Sequence, residues 1–163
     1  MIRKILSIFI FIGCFATFSQ TEETKETELK IYTFSELEKL QQQKPKPVAI
    51  FIYTDWCKIC FGMKKTTFKN KEVIQLLNNN FYFVRLDGEE KKDIIFLGKT
   101  FVYKPTGSNT GVHELADELA SINKRISYPT TTILNSKFEI ELQINGFSNA
   151  KEMKKILSRL SSN

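Results

Sequence analysis

Cys57 and Cys60 are the two residues of this chain whose type and spacing most directly suggest chemistry. Lys58 and Ile59 separate them, so on a helix the two thiols share one face. Cys57 stands where that helix should begin. There the unpaired N–H groups and the macrodipole favour an anion, which lowers a thiol pKa. The thiolate is the form that attacks disulfides. Cys57 is therefore the expected nucleophile and Cys60, one turn in, the resolving thiol. Lys58 adds positive charge beside the first sulfur. Other chemistries compete for the same pair. A structural zinc site needs four ligands, and once the N-terminal segment with Cys14 is removed only a distant His113 is on offer beyond the pair. A copper(I) site would use Cys57, Cys60 and Met63, although Met63 also reads as ordinary core packing. The single histidine, His113, reads as a surface residue at a helix start rather than as a catalytic one. No metal or organic cofactor is expected, because a dithiol is itself a redox centre.

The elements around the pair are legible from periodicity. Val48 to Tyr53 is an unbroken apolar run whose length and β-branching suit a central strand buried on both faces. Thr54, Asp55 and Trp56 leave it, and the helix opened by Cys57 runs to Thr67 or Phe68. Upstream, Leu29 to Tyr32 reads as an edge strand. Thr33 and Glu36 form a capping box before a helix reaching Gln43, which Pro45 and Pro47 close. Downstream come a helix from Lys71 to Asn79, a strand from Phe81 to Leu86 and a turn at Asp87-Gly88. Residues 89–112 read as a helix/loop insertion, polar and glycine-rich over 99–112. Val112 to Lys124 reads as a helix with Leu115, Leu119 and Ile122 on one face. Thr131 to Leu134 and Phe138 to Ile144 read as a hairpin, followed by an amphipathic helix from Ser148 to Leu160. This order predicts an α/β domain over 29–163, a central mixed β-sheet flanked by helices.

Residues 1–19 have the layout of a secretory signal peptide: Arg3 and Lys4, an apolar run from Ile5 to Ile12, then small residues through Ser19. Export, to the periplasm, is the expectation, with residues 20–28 as a flexible polar tether. Phe11 to Cys14 loosely resembles a lipoprotein cleavage box, so a lipid anchor on Cys14 is the alternative. Two cysteines this close in an exported chain do not make a structural disulfide framework. Loss of Arg3 and Lys4 lowers the formal charge from +6 to about +4. That modest excess, with no basic cluster interleaved with aromatics, argues against nucleic-acid binding. The chain is read as a monomer.

Beyond these local readings, a buried strand, then Trp56-Cys57-Lys58-Ile59-Cys60, then Tyr128-Pro129-Thr130 before a late strand, resembles the thioredoxin superfamily. The resemblance covers roughly residues 29–161 and implies a thioredoxin-like fold and a thiol–disulfide oxidoreductase. It implies a cis peptide bond before Pro129, although an ordinary turn proline is normally trans. It also implies that Trp56, Tyr128, Pro129 and Thr130 contact substrate, with protein thiols and disulfides as partners and a membrane electron donor. Trp56 equally reads as strand-end packing. Lys104 to Gly107 and Asn109 to Leu115 are similar to exported members from Bacteroidetes-type bacteria. Two departures matter. Lys58-Ile59 replaces the family's Gly-Pro, and Phe51 stands where it has a buried aspartate that accepts the resolving thiol's proton. A copper(I)-binding protein and a non-catalytic module using the 99–112 loop are the rival readings.

Overall fold

The computed structural model describes residues 28–161. The predicted signal peptide, Cys14 and nearly all of the tether lie outside them. Helix α1 (Phe34–Gln43) leads into β1 (Val48–Tyr53), α2 (Lys58–Lys65), α3 (Lys71–Asn80) and β2 (Tyr82–Asp87). After an inserted region come α4 (Glu114–Ala120), a late hairpin and α5 (Ala150–Leu160). The hairpin strands are Thr130–Leu134 and Ile140–Asn145. The main sheet has the order Ile140–Asn145, Thr130–Leu134, β1, β2. β1 runs parallel to β2 and antiparallel to Thr130–Leu134, so the sheet is mixed.

The double burial expected of β1 follows from its alternation. Val48, Ile50 and Ile52 face a core shared with α1 and α4, whereas Ala49 and Phe51 face one shared with α2, α3 and α5. Each helix start has a local cause. At α1 the Glu36 carboxylate accepts the Thr33 backbone N–H (2.7 Å) and hydroxyl (2.6 Å). At α3 the Asn70 side chain accepts from Glu72 N–H, and at α5 Asn149 accepts from Glu152 N–H.

The structure departs from expectation chiefly between residues 89 and 126. The insertion is not a helix and loop. It is two small hairpins, β3–β4 (Ile94–Phe96 with Lys99–Phe101) and β5–β6 (Tyr103–Pro105 with Gly111–His113). Leu97 and Gly98 both have positive φ (53° and 72°), the geometry of a tight turn between twisted strands. Phe96 packs edge-on against Phe34 (5.1 Å between centroids), which draws the first hairpin onto the core. The helix expected to reach Lys124 stops at Ala120. The Leu119 carbonyl instead accepts from Thr132 Oγ1 (2.6 Å) and Gln143 Nε2 (2.8 Å). A further hairpin, β7–β8 (Ser121–Ile122 with Arg125–Ile126), turns at Asn123 and Lys124, again with positive φ. With these in place, the late strands Thr130–Leu134 and Ile140–Asn145 are β9 and β10. The expected edge strand at Leu29 to Tyr32 reduces to one parallel bridge, Tyr32 to Val84.

Candidate active site

β1 delivers the chain to the end of the sheet, and α2 starts there. Cys57 is the N-cap of α2, in extended conformation. Its N–H donates to the Thr54 carbonyl (3.2 Å), and its own carbonyl accepts from Phe61 N–H (3.1 Å). Cys57 Sγ accepts the Cys60 N–H at 3.1 Å. The two sulfurs are joined as a disulfide, with Cα atoms 5.2 Å apart. Cys57 is 6% exposed and Cys60 is fully buried, so Cys57 is the cysteine with access to solvent. Trp56 and Ile59 flank it, both largely exposed.

Under the pair the protein is apolar. Phe51 is fully buried in the same cluster as both cysteines and Met63, stacked on Tyr53 (5.8 Å) and edge-on to Phe68 (4.7 Å). Met63 is core, fully buried on α2. Among the described residues no three His, Cys, Asp or Glu side chains gather as a metal-holding group.

The Tyr128–Pro129 peptide bond is cis. The loop is fastened on both sides. Gly146 N–H donates to the Pro129 carbonyl (2.8 Å), and the Thr130 hydroxyl donates to the Ser127 carbonyl (2.8 Å). Thr130 is fully buried, and its side chain holds the loop from inside. Tyr128 stands half-buried against Trp56, edge-on at 6.0 Å between centroids. Burial pushes its phenol far above the usual tyrosine range, with Glu89, Asp87 and Asp117 adding to the effect.

Three residues acquire a place here that the local sequence did not announce. His113 is not a surface residue: it is fully buried as the cap of α4, and its Nδ1 accepts Leu115 N–H (3.3 Å). Its N–H donates to the Gly88 carbonyl (2.8 Å), and Gly88 N–H donates to the Tyr53 carbonyl (2.7 Å). Gly88 thus links the end of β1 to the inserted hairpins. A Cβ there would collide with the Tyr128 ring and hydroxyl. Gly88→Ala is therefore expected to displace Tyr128 from Trp56, to cost about 1–3 kcal/mol of stability and to slow thiol exchange. Denaturant unfolding alongside exchange rates checks this, and unchanged stability would refute the close packing.

Asp87 is the third, paired in register with Tyr53 at the sheet end. Burial raises its carboxyl above the ordinary range, the Glu89 N–H opposes that rise, and Asp55, Glu89 and Glu90 add to it. The folded chain therefore holds this proton to higher pH than the unfolded chain does. Ionised Asp87 costs stability, and the cost grows as pH rises through the two pKa values and is complete above the folded one. Asp87→Asn should raise the melting temperature at neutral pH, with the gain fading towards about pH 3. Melting curves across that range decide it; a gain that persists undiminished in acid would show another cause. The parallel register of β1 and β2 gives Asp87 this place, opposite a residue four positions before Cys57.

Residues 33–109 match a protein-family model described as Thioredoxin-like. The chain is 34% identical over 70 residues to Spermatogenesis-associated protein 20 of Mus musculus, covering 43% of this chain and 9% of that protein. It thus spans less than a tenth of the curated relatives it matches. Among solved structures, DsbH Oxidoreductase superposes with a TM-score of 0.61 at 17% identity, over 90% of this chain and 94% of that one. A thioredoxin from Thermus thermophilus gives 0.57 at 19% identity, over 80% and 85%. Mixed sheet, flanking helices and these superpositions agree: the chain has a thioredoxin-like fold.

Proposed function

We propose that this chain is an exported thiol–disulfide oxidoreductase that reduces or isomerises protein disulfides in the cell envelope. The observation that carries the reading is the N-cap position of Cys57, the more exposed of the two cysteines, with its sulfur accepting the Cys60 N–H. That hydrogen bond and the helix start both favour thiolate over thiol. In the reduced chain, Cys57 thiolate attacks one sulfur of a substrate disulfide. A Cys57–substrate disulfide forms, and the other substrate sulfur leaves as a thiolate that takes a proton. Cys60 then gives up its proton and attacks Cys57 Sγ. The Cys57–Cys60 disulfide closes and the second substrate sulfur leaves. Two electrons have passed to the substrate, and a donor dithiol at the membrane restores the pair.

Trp56, Tyr128 and the backbone of the Pro129 loop receive the extended substrate chain. Phe51 leaves the resolving cysteine without a buried carboxylate, so solvent or substrate takes its proton. Export rests on the pattern of residues 1–19, and membership of the exported Bacteroidetes-type group rests on Lys104 to Gly107 and Asn109 to Leu115. A fold shared with an oxidoreductase supports the reaction class. Equilibrating the couple against defined thiol–disulfide buffers tests the direction. A potential near about −250 mV or lower is expected of a reductant, whereas a value near about −120 mV would make the chain an oxidant.

A further inference from the structure

β2 is the outer strand of the main sheet, and its far side is nearly bare. Among the described residues two backbone contacts are made there: Tyr32, through the bridge to Val84 and its N–H to the Phe83 carbonyl (2.8 Å), and Glu90, whose N–H donates to the Asp87 carbonyl (3.2 Å). Backbone groups of alternate residues point to the same side of a strand. Those of Arg85 and the Asp87 N–H therefore face the side still open, as those of Phe83 face the Tyr32 bridge. A groove of about 520 Å³ runs along it, walled by residues 31–35 on one side and by the start of the β3–β4 hairpin on the other. Ile31 (45% exposed) and Ile95 (63% exposed) present apolar surface to it. Asp87, Glu90 and Asp93 line it, with Arg85 as the one cation in the lining. Among the described residues no ion pair engages these three carboxylates. An acidic, half-apolar groove on a chain of net charge +6 is a local reversal of sign.

We infer that this groove docks an extended segment of a partner protein in which apolar and basic residues alternate. The segment adds to the end of β2 that Tyr32 leaves open, by main-chain hydrogen bonds to Arg85 and the Asp87 N–H. Its apolar side chains lie on Ile31 and Ile95, and its lysines or arginines meet Asp93, Glu90 and Asp87. The alternation follows from the strand geometry, which sends successive side chains to opposite faces. This docking does not depend on the cysteine pair.

A fluorescent, cysteine-free peptide alternating valine and lysine is the probe, with a valine–glutamate peptide as control, both titrated into the full chain. Saturable binding of the lysine peptide is expected, with amide shifts centred on residues 84–87. Asp93→Lys and Ile95→Glu, both on exposed side chains, should each weaken it roughly tenfold. Both variants should keep the native circular dichroism and exchange with a small disulfide. The inference is overturned if the lysine peptide does not bind, if the glutamate peptide binds as well, or if the variants bind as tightly as the parent. Shifts centred on Trp56 to Cys60 would move the site to the cysteine pair. A dimer dissolved by Ile95→Glu would make the occupant a second copy, and binding that appears only after removal of residues 1–27 would make it the chain's own N-terminal segment; either result overturns the inference.

Discussion

Cys57→Ser is expected to lower the rate of protein-disulfide reduction by roughly 10³-fold or more, whereas Cys60→Ser retains the first attack and stalls as a mixed disulfide. The asymmetry follows from where the two sulfurs sit. Cys57 is the cysteine that keeps some solvent exposure, and its sulfur receives the Cys60 N–H at the start of α2. Both features favour an accessible thiolate, and serine cannot supply an equivalent anion at neutral pH. Cys60 has no solvent exposure and reaches only Cys57. In the Cys60→Ser chain the covalent adduct therefore has no intramolecular exit. Mass spectrometry of the quenched reaction should find substrate linked to Cys57, and turnover assays should show the rate loss. Wild-type turnover by Cys57→Ser, or an adduct on Cys60 in the chain that keeps it, would refute the assignment.

Phe51→Ala should cost about 3–5 kcal/mol of unfolding free energy, the range for removing a fully buried aromatic ring. Phe51 sits in the middle of β1, with β2 on one side and β9 on the other. Its ring contacts Tyr53 and Phe68 and belongs to the cluster that holds both cysteines. Neighbours on three helices are fixed by their own packing, so the space does not collapse and the cavity term adds to the lost burial. Phe51→Leu should cost much less, because it preserves most of the volume. Urea unfolding of both variants at neutral pH measures the difference. A loss under about 1 kcal/mol for alanine would mean that the floor beneath the cysteines is loosely packed.

Much of this architecture could be read along the chain because its causes are short-range. An apolar run of β-branched residues made β1 a buried strand, and helical spacing of Met153 and Leu157 set the inner face of α5. Cys57 and Cys60 were legible as a close pair at a helix start for the same reason: a three-residue spacing needs no distant partner. The failures are equally specific. The helix predicted to Lys124 broke because Thr132 and Gln143 claim the Leu119 carbonyl from the sheet. The 89–112 region became hairpins because Phe96 and Phe101 find a core to enter.

Short-range pattern was enough to place the strands and helices near the cysteines and to show which thiol begins the helix. Only long-range packing decided that His113 is buried, that Gly88 lies under Tyr128, that Asp87 stands beside Tyr53 and that the outer edge of β2 is bridged by Tyr32 alone among the described residues. Periodicity and capping act over a few residues, whereas burial and pairing depend on segments tens of residues apart, whose meeting is settled only when the whole core closes.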